Sequence, residues 1–382
     1  MKQTSTHSKP SPRVLTHNHY GVGWVCALPK EQTAAMAMLD EIHCDLPKPK
    51  DDTNAYTLGS IGGHNIVIAC LPKGKVSASS AASVAIHMVR TFPSIKVGLM
   101  VGIGGGIPSK VRLGDVVISA PVDVYPGVVQ WDLGKAEAYG NFKQTGVLNT
   151  LPNSLLTAMT KLESKHDMHA SQISQYLNDM VERYPNLREK YTWSSSLRDP
   201  YIGQTSAHLR NSSHSVAIIS WIWEIVLFHF LCLSGRAMLT RGSATTPMAR
   251  TANSSLDNTD RGPGNIRVHY GLIASGDQVI KDAVVREKLN KSFDGHVLCI
   301  ETGAAGLIDH FPCIVICGIC NYADAQANAD WEEYAAAIAA ACAKEFLEFV
   351  QPSQFDGERS MKELRIMVGS FKDYFAVAES LD

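Results

Sequence analysis

Along most of the chain, short apolar runs alternate with segments whose apolar residues recur at helical spacing. Residues 20–27, 64–70 and 95–101 have the length and the β-branched content of buried strands. Residues 30–40 place alanine, methionine and leucine at the spacing of a helix that packs one face on a core. This alternation predicts a largely parallel, three-layer α/β/α sheet.

The same pattern resumes in the last third of the chain. Apolar runs at 268–274, 297–300 and 313–317 predict three more strands, and the alanine-rich residues 331–350 predict a long closing helix. Residues 148–189 have the pattern of amphipathic helices. Strands and helices on both sides of residue 200 therefore belong to one predicted domain.

The domain prediction has three parts. Residues 1–18 are polar and are expected to form a disordered lead. Residues 19–350 form the α/β domain, which an irregular insertion at about 190–265 interrupts. Residues 351–382 are predicted to be a linker followed by a C-terminal amphipathic helix.

The insertion contains an apolar segment, residues 216–233, that is 18 residues long and at the lower limit for crossing a membrane. Glu224 lies at its centre, where an acid costs roughly 2.5–3.5 kcal/mol on insertion scales. A single span would also place two halves of one sheet on opposite sides of a membrane. We therefore expect a packed or extruded apolar helix, with membrane spanning as the less favoured alternative.

Composition narrows the function classes. Lys and Arg total 35 against 37 Asp and Glu, without long blocks of one sign, so a nucleic-acid surface is not expected. The nine cysteines are odd in number and several lie in apolar runs, which is typical of buried thiols in a reducing compartment. No signal peptide is evident, so a cytoplasmic location is expected.

Candidate chemistry is concentrated at a glycine run. The predicted strand 95–101 leads into Gly102-Ile103-Gly104-Gly105-Gly106, whose exposed N–H groups allow a sugar or an anion to approach closely. A nicotinamide fingerprint fails here, because its sixth position is Ile107 and Pro108 follows without a helix pattern. Cys317 and Cys320 form a C-x-x-C without a second pair, so no metal site is predicted.

Five motifs in a fixed order resemble the nucleoside phosphorylase superfamily, which includes purine and uridine phosphorylases and the methylthioadenosine and adenosylhomocysteine nucleosidases. Within this superfamily the sequence resembles the fungal branch, whose members are often the N-terminal modules of NLR-like proteins. It implies a mixed, mostly parallel, twisted sheet of the nucleoside phosphorylase type and cleavage of purine nucleosides by water or phosphate. The motifs are residues 23–31, 101–106, 113–119, 271–278 and 301–306.

The resemblance also implies roles for single residues. Glu31 matches the acid that activates the attacking water, and Asn321 falls where the family has the aspartate that protonates the purine. The glycine run matches the segment beside the ribose, and Gly303 falls on the glutamate that clamps the ribose hydroxyls. The implied substrate-binding residues are Gly102, Ile103, Gly104, Gly105, Gly106, Gln278, Val279, Ile280, Glu301 and Gly303.

Two departures weaken the implied activity. Gly303 has no side chain to hold a diol, and Asn321 has no titratable proton. General acid catalysis contributes roughly 10²–10⁴ in rate, so its loss predicts a poor enzyme. Glu301 is a candidate replacement for the clamp, and Asp324 is a candidate donor for which a surface or helix-cap role is the favoured interpretation.

Three interpretations therefore stay open. The chain is a weak purine nucleosidase or phosphorylase, a degenerate nucleoside-binding or signalling module, or a defective product whose insertion no longer folds with the domain. Near the glycine run, Lys110 and Arg112 are the basic residues available to phosphate, which favours water as the nucleophile. The expected partner is a nucleoside, with phosphate or a second copy of the chain as further possibilities. No cofactor, nucleic acid or membrane is expected.

Overall fold

The computed structural model describes residues 15–136, 142–146, 148–201, 265–308, 311, 313–326, 328–351, 360, 361 and 363. The predicted lead up to residue 14, the apolar segment 216–233 and most of the tail lie outside these residues. By its internal contacts the chain divides into one unit of Met1–Leu197 with Ile266–Asp382, and a second of Arg198–Asn265. The domain boundaries stay a prediction.

The first unit is a mixed α/β fold, as the sequence predicts. Its described part contains ten strands of one mixed sheet and a separate two-stranded ladder. The strands are β1 Val22–Cys26, β2 Glu41–Ile42, β3 Tyr56–Ile61, β4 His64–Cys70, β5 Val97–Gly106, β6 Val116–Ser119, β7 Val128–Gln130, β8 Gly134–Ala136, β9 Phe142–Gln144, β10 Val268–Gly276, β11 Val297–Thr302 and β12 Cys313–Asn321.

The described helices connect and cover these strands. They are α1 Pro29–Met38, α2 Ala78–Thr91, α3 Asn153–Met168, α4 Ile173–Arg183, α5 Arg188–Tyr191, α6 Ala283–Ser292, α7 Ala304–Ile308 and α8 Glu332–Phe349. The predicted helices at 30–40 and 331–350 thus agree with α1 and α8 to within a few residues.

Strand pairing brings several strand ends together. β1 lies parallel to β4 on one side and β5 on the other, and β12 is parallel to β5 on its far side. β10 is parallel to β6 and β11, while β11 meets the end of β5 in antiparallel pairing at Gly105 and Gly106. The carboxyl-terminal ends of β1, β5, β10, β11 and β12 therefore converge.

Two hydrophobic clusters enclose the sheet residues. Alternate side chains of β1, such as Trp24, join a cluster with α1, α3, α4 and α8. The residues between them, such as Val25, join a second cluster with α2 and α7. Because successive side chains of a strand point to opposite faces, helices cover both faces of these strands.

The end of β5 differs from the prediction. The predicted strand ends at Val101 and continues as a glycine loop, whereas β5 extends through Gly106 and remains paired with β12 and β11. Glycine suits this stretch because strands approach closely on both sides. The prediction that the strand ends at Val101 is wrong because backbone pairing with β11 and β12 outweighs the weak intrinsic strand preference of glycine.

Within the described residues, no helix is long and apolar enough to cross a membrane. Residues 216–233 are not among the described residues.

A packing test follows from Gly318 in β12, which lies against the backbone of α8. A Cβ added at this glycine would lie 2.0 Å from the carbonyl oxygen of Ala335. We expect Gly318→Ala to lower the free energy of unfolding by about 3 kcal/mol, since backbone cannot move aside as a side chain does. Urea denaturation measures this.

Gly21→Ala is the control, because no heavy atom lies within 4 Å of the added Cβ. Equal stability of the two variants would show that β12 and α8 are not packed in this way.

Candidate active site

A cavity of about 360 Å³ lies where the five strand ends converge. Its wall includes residues from the ends of β1, β5, β11 and β12, the loop after β10 and the start of α8. A volume of this size is within the range of small-molecule sites, and the ends of sheet strands are a common location for them.

Glu31 is the buried acid at one wall of this cavity. It lies in the first turn of α1, and this helix begins at Pro29, a residue suited to the first helical position. Its Oε2 accepts hydrogen bonds from the backbone N–H groups of Ala27 at 2.7 Å and Leu28 at 2.9 Å, and its Oε1 accepts one from Ile103 at 3.0 Å. The carboxylate therefore caps its own helix and joins α1 to β5.

The protonation of Glu31 is balanced near neutrality. Burial raises its pKa most, while the three backbone hydrogen bonds lower it and the charge of Glu332 raises it; the resulting pKa is about 7. At neutral pH the group can thus both accept and release a proton.

Gly102 is required by this arrangement. A Cβ at Gly102 would lie 2.6 Å from Oε1 of Glu31, so any side chain would displace the carboxylate. Gly104 and Gly105 are constrained in the same way by Cys299 Sγ at 2.4 Å and Asn321 Oδ1 at 2.8 Å. The glycine run thus accommodates the protein's own side chains, in addition to leaving backbone exposed to the cavity.

Glu301 is the second buried acid of the cavity. It lies near the end of β11, and both carboxylate oxygens are 3.3 Å from the backbone N–H of Ala304. Burial raises its pKa to about 7, the Ser275 hydroxyl and Ala304 oppose this, and the charge of Glu31 adds to it. The charge of Glu31 thus favours the protonated form of Glu301.

Asn321 lies at the end of β12, beside Gly105. A bulge in the pairing with β5 precedes it. Its Oδ1 accepts a hydrogen bond from the backbone N–H of Ala323 at 2.8 Å, and its Nδ2 is 3.2 Å from the sulfur of Cys320. The amide lines the cavity and can donate a hydrogen bond, but it has no proton to transfer.

Gly303 has a backbone that resists a side chain. Its φ is +117°, and an added Cβ would lie 3.1 Å from the methyl carbon of Met100. Gly303 and Gly106 are the two predicted binding residues that the cavity wall does not include. The position of the implied ribose clamp is therefore empty of side chain and strained against receiving one.

The loop after β10 provides Gln278, Val279, Ile280 and Lys281 to the cavity wall. Asp277, the first residue of this loop, holds its start through two hydrogen bonds. Its carboxylate accepts a hydrogen bond from Ala78, the first residue of α2, at 2.6 Å, and its own N–H donates to Asp132 at 2.6 Å. The predicted purine-binding residues thus lie on a tethered loop.

The basic residues near the glycine run point elsewhere. Lys110 donates to Asn290 and to the carbonyl oxygens of Gly295 and Val297, and burial lowers its pKa to about 8. Neither Lys110 nor Arg112 is part of the cavity wall, where Lys281 is the one cation among the described lining residues.

Asp324 is neither a surface residue nor a cavity residue. It is buried, and its carboxylate lies 3.2 Å from the guanidinium of Arg286. The interpretation of Asp324 as a surface residue is wrong because Arg286, in α6, reaches across to compensate the buried charge.

Sequence reasoning missed Glu332, Lys281 and Asp277, which come from α8 and the β10–α6 loop. Asp277 lies inside the 271–278 motif but was given no role there, and Glu332 and Lys281 lie in none of the five motifs. The contacts that place Asp277 and Glu332 join them to residues 145 to 302 positions away along the chain. Among the described residues, no group of three or more His, Cys, Asp or Glu side chains is arranged to hold a metal ion.

Comparison with known proteins gives one curated relative and many structural neighbours. No family model matches the chain. The relative is a nucleotide-binding leucine-rich repeat (NLR)-like protein of Hyaloscypha variabilis, 39% identical over 361 residues. The alignment covers 94% of this chain, which spans about a third (32%) of the length of that relative.

The solved structures similar to this chain include a futalosine hydrolase and a nucleosidase. A futalosine hydrolase of Helicobacter pylori is 15% identical with a TM-score of 0.48, covering 87% of this chain and 99% of its own. A 5'-methylthioadenosine/S-adenosylhomocysteine nucleosidase of S. pneumoniae is 15% identical with a TM-score of 0.49, covering 87% and 100%.

Glu301 generates a stability prediction. Its pKa is raised to about 7 from 4.5, so its contribution to stability is fully present below about pH 4.5 and is lost as the pH rises through 7. We expect the unfolding free energy of Glu301→Gln relative to the unmodified protein to increase by roughly 2 kcal/mol from pH 5 to pH 8. Denaturant titrations across this range measure it.

Glu41→Gln, at an exposed position of β2, is the matched control. A Glu301→Gln difference that does not change with pH would contradict the burial of an ionisable carboxyl group at this site.

Proposed function

We propose that this chain binds a purine nucleoside in the cavity and cleaves its N-glycosidic bond slowly with water. One observation carries the proposal: the Glu31 carboxyl is held at the cavity wall by three backbone N–H groups, with a pKa of about 7. A group with this pKa is matched to general base work at neutral pH.

The reaction requires little more than correctly placed charge. As the bond from C1' of the sugar to the base nitrogen breaks, C1' becomes positive and the base takes the electron pair. Water adds to C1' and gives one proton to Glu31, while the departing base takes a proton at nitrogen from solvent water. Glu31 then returns its proton to solvent, so the net reaction consumes one water molecule. The carboxylates of Glu31 and Glu301 stabilise the positive sugar.

Water is favoured over phosphate by the charges of the cavity wall. Glu31, Glu301 and Glu332 lie in that wall, against Lys281 as the cation among its described residues. Lys110 is committed to three oxygen acceptors away from the cavity. A phosphate ion would enter a region of negative charge without a placed partner.

Slow turnover follows from the residues at two positions, 321 and 303. Asn321 offers the departing base a hydrogen bond in place of a proton, and Gly303 leaves the sugar hydroxyls without the family's clamp. Glu301 supports sugar binding, since it is an acceptor in the cavity wall two residues before Gly303. A three-layer sheet of the nucleoside phosphorylase type, interrupted at about 190–265, is part of this proposal.

The second candidate is a nucleoside-binding module that signals without turnover. The curated relative is named as an NLR-like protein and is about three times longer than the aligned region, which accounts for 32% of it. A pocket without a general acid suits occupancy better than chemistry. Release of free purine from adenosine, inosine, methylthioadenosine and ATP, with and without phosphate, separates the two candidates.

Glu31 provides the first kinetic prediction. Because a general base acts in its deprotonated form, we expect kcat/KM to rise about tenfold per pH unit below pH 7 and to level off above it. Glu31→Gln should lose roughly 10²–10⁴ of the rate. Glu41→Gln is the control, and full activity of Glu31→Gln would contradict the assignment.

Asn321 provides the second kinetic prediction, a gain of activity. Asn321→Asp keeps the acceptor for the Ala323 N–H and adds a group that can carry a proton, so we expect roughly 10²–10⁴ more turnover. Asn321→Ala is the control and should show no gain. Gly303→Glu is a poorer test because its φ of +117° strains any side chain.

An Asn321→Asp protein that binds methylthioadenosine but releases no purine faster than the unmodified chain would sink the hydrolytic proposal. A silent unmodified chain with an active Asn321→Asp variant would favour the binding module.

A further inference from the structure

A three-residue ion cluster lies beside Glu31. The Lys30 ammonium is 2.8 Å from Oε2 of Glu332 and 3.0 Å from Oε1 of Glu333. All three side chains are partly exposed, with 25%, 31% and 22% of their surface accessible. The cluster joins the first turn of α1 to the first turn of α8, whose N-terminus attracts negative charge.

The net charge of this cluster has the opposite effect on the protonation of Glu31 from the charge of Lys30 alone. Lys30 precedes Glu31 in α1, and a bare ammonium there would favour the carboxylate form of Glu31. Two carboxylates against one ammonium leave a net negative charge instead. Glu332 is also part of the cavity wall that contains Glu31, whereas Glu333 is not.

Other groups also act on Glu31. Burial raises its pKa most, and among charged groups Glu332 raises it further. Glu301 is a second buried acid of the same cavity, in β11, and the charge of Glu31 raises the pKa of Glu301. The thiols that interact with Glu31 are Cys26 of β1, Cys70 of β4 and Cys317 and Cys320 of β12. Burial raises the pKa of Cys26, Cys70 and Cys320, and a hydrogen bond with Cys299 together with burial raises that of Cys317, which keeps all four thiols neutral.

We propose that Glu332 is a positioning residue whose carboxylate, held in place by Lys30 at the wall of the same cavity, favours the protonated form of Glu31 and so shifts the pH at which the site becomes a proton acceptor. Glu332 acts through Glu31 and needs no contact with the reacting atoms. The inference rests on the proposed function for its kinetic consequence alone.

The expected size of the effect is moderate. For partly exposed charges the effective dielectric constant lies between the values of about 20 near a protein surface and about 80 in water, so at a value of about 40 one charge about 6–12 Å away moves a titration midpoint by about half to one unit. Solvent screening reduces the effect as ionic strength rises. The same midpoint shift should therefore shrink between low and high salt.

The test is an NMR titration of the protein labelled with carbon-13 at glutamate side-chain carboxyls. The Glu31 resonance is assigned by its loss in Glu31→Gln. We expect Glu332→Gln to lower the Glu31 midpoint by about half to one unit and Lys30→Met, which exposes both carboxylates, to raise it by a similar amount. Glu333→Gln is the matched control and should move the midpoint less than half as far.

Two results would overturn the inference. One is a Glu31 midpoint in Glu332→Gln that agrees with the unmodified protein within experimental error. The other is a downward shift in Lys30→Met: removal of a positive charge should favour the protonated form of Glu31, so a fall would mean that the charges of this cluster do not act on Glu31 as proposed. Thermal unfolding of each variant verifies that the titrated protein is folded.

Kinetics separates this inference from the proposed function. If purine release is detected, its pH midpoint should move in each variant by the same amount as the NMR midpoint, and a midpoint that stays fixed would contradict the role of Glu332. If no variant releases purine, the proposed hydrolysis fails, while the NMR titration still decides the control of Glu31 by Glu332.

Discussion

The burial of one carboxyl group, that of Glu31, is the constraint on which the site depends. Its charge is tolerable inside the protein because three backbone N–H groups, from two elements distant in sequence, point at it. That requirement fixes the start of α1 against β5 and excludes any side chain at Gly102. A helix cap, a strand register and a cavity wall are thus consequences of a single set of hydrogen bonds.

The remainder of the cavity follows from crowding at the strand ends. β5 is flanked by β12 and β11, so its glycines leave room for Asn321 and for the sulfur of Cys299. Acidic groups collect there because several first turns and strand ends converge on the same space. The cavity therefore carries negative charge, and its acids Glu31 and Glu301 are partly protonated near neutral pH. This negative charge suits a ligand that becomes positive as it reacts.

Much of this could be predicted from residue patterns. The alternation of apolar runs and amphipathic segments identified the mixed α/β fold, and helix and strand positions agree within a few residues. Ordered motifs led to the prediction that Glu31, the glycine run and residues 278–280, at the end of one motif and just after it, belong to the site. The extent of β5 was missed, since glycine has little intrinsic strand preference and only pairing reveals it. Asp324 was misjudged because its partner, Arg286, lies 38 positions away along the chain.

The amino-acid sequence by itself determined the class of fold and the chemical capacity of each position: an amide at 321 cannot supply a proton, and a glycine at 303 cannot hold a diol. Local propensity and side-chain chemistry are sufficient for such statements. Only the tertiary structure decided which acids are buried together, that Gly303 has a left-handed backbone, and that Lys30 is neutralised by α8. Protonation depends on distance and burial, and these arise from contacts between elements far apart in the chain.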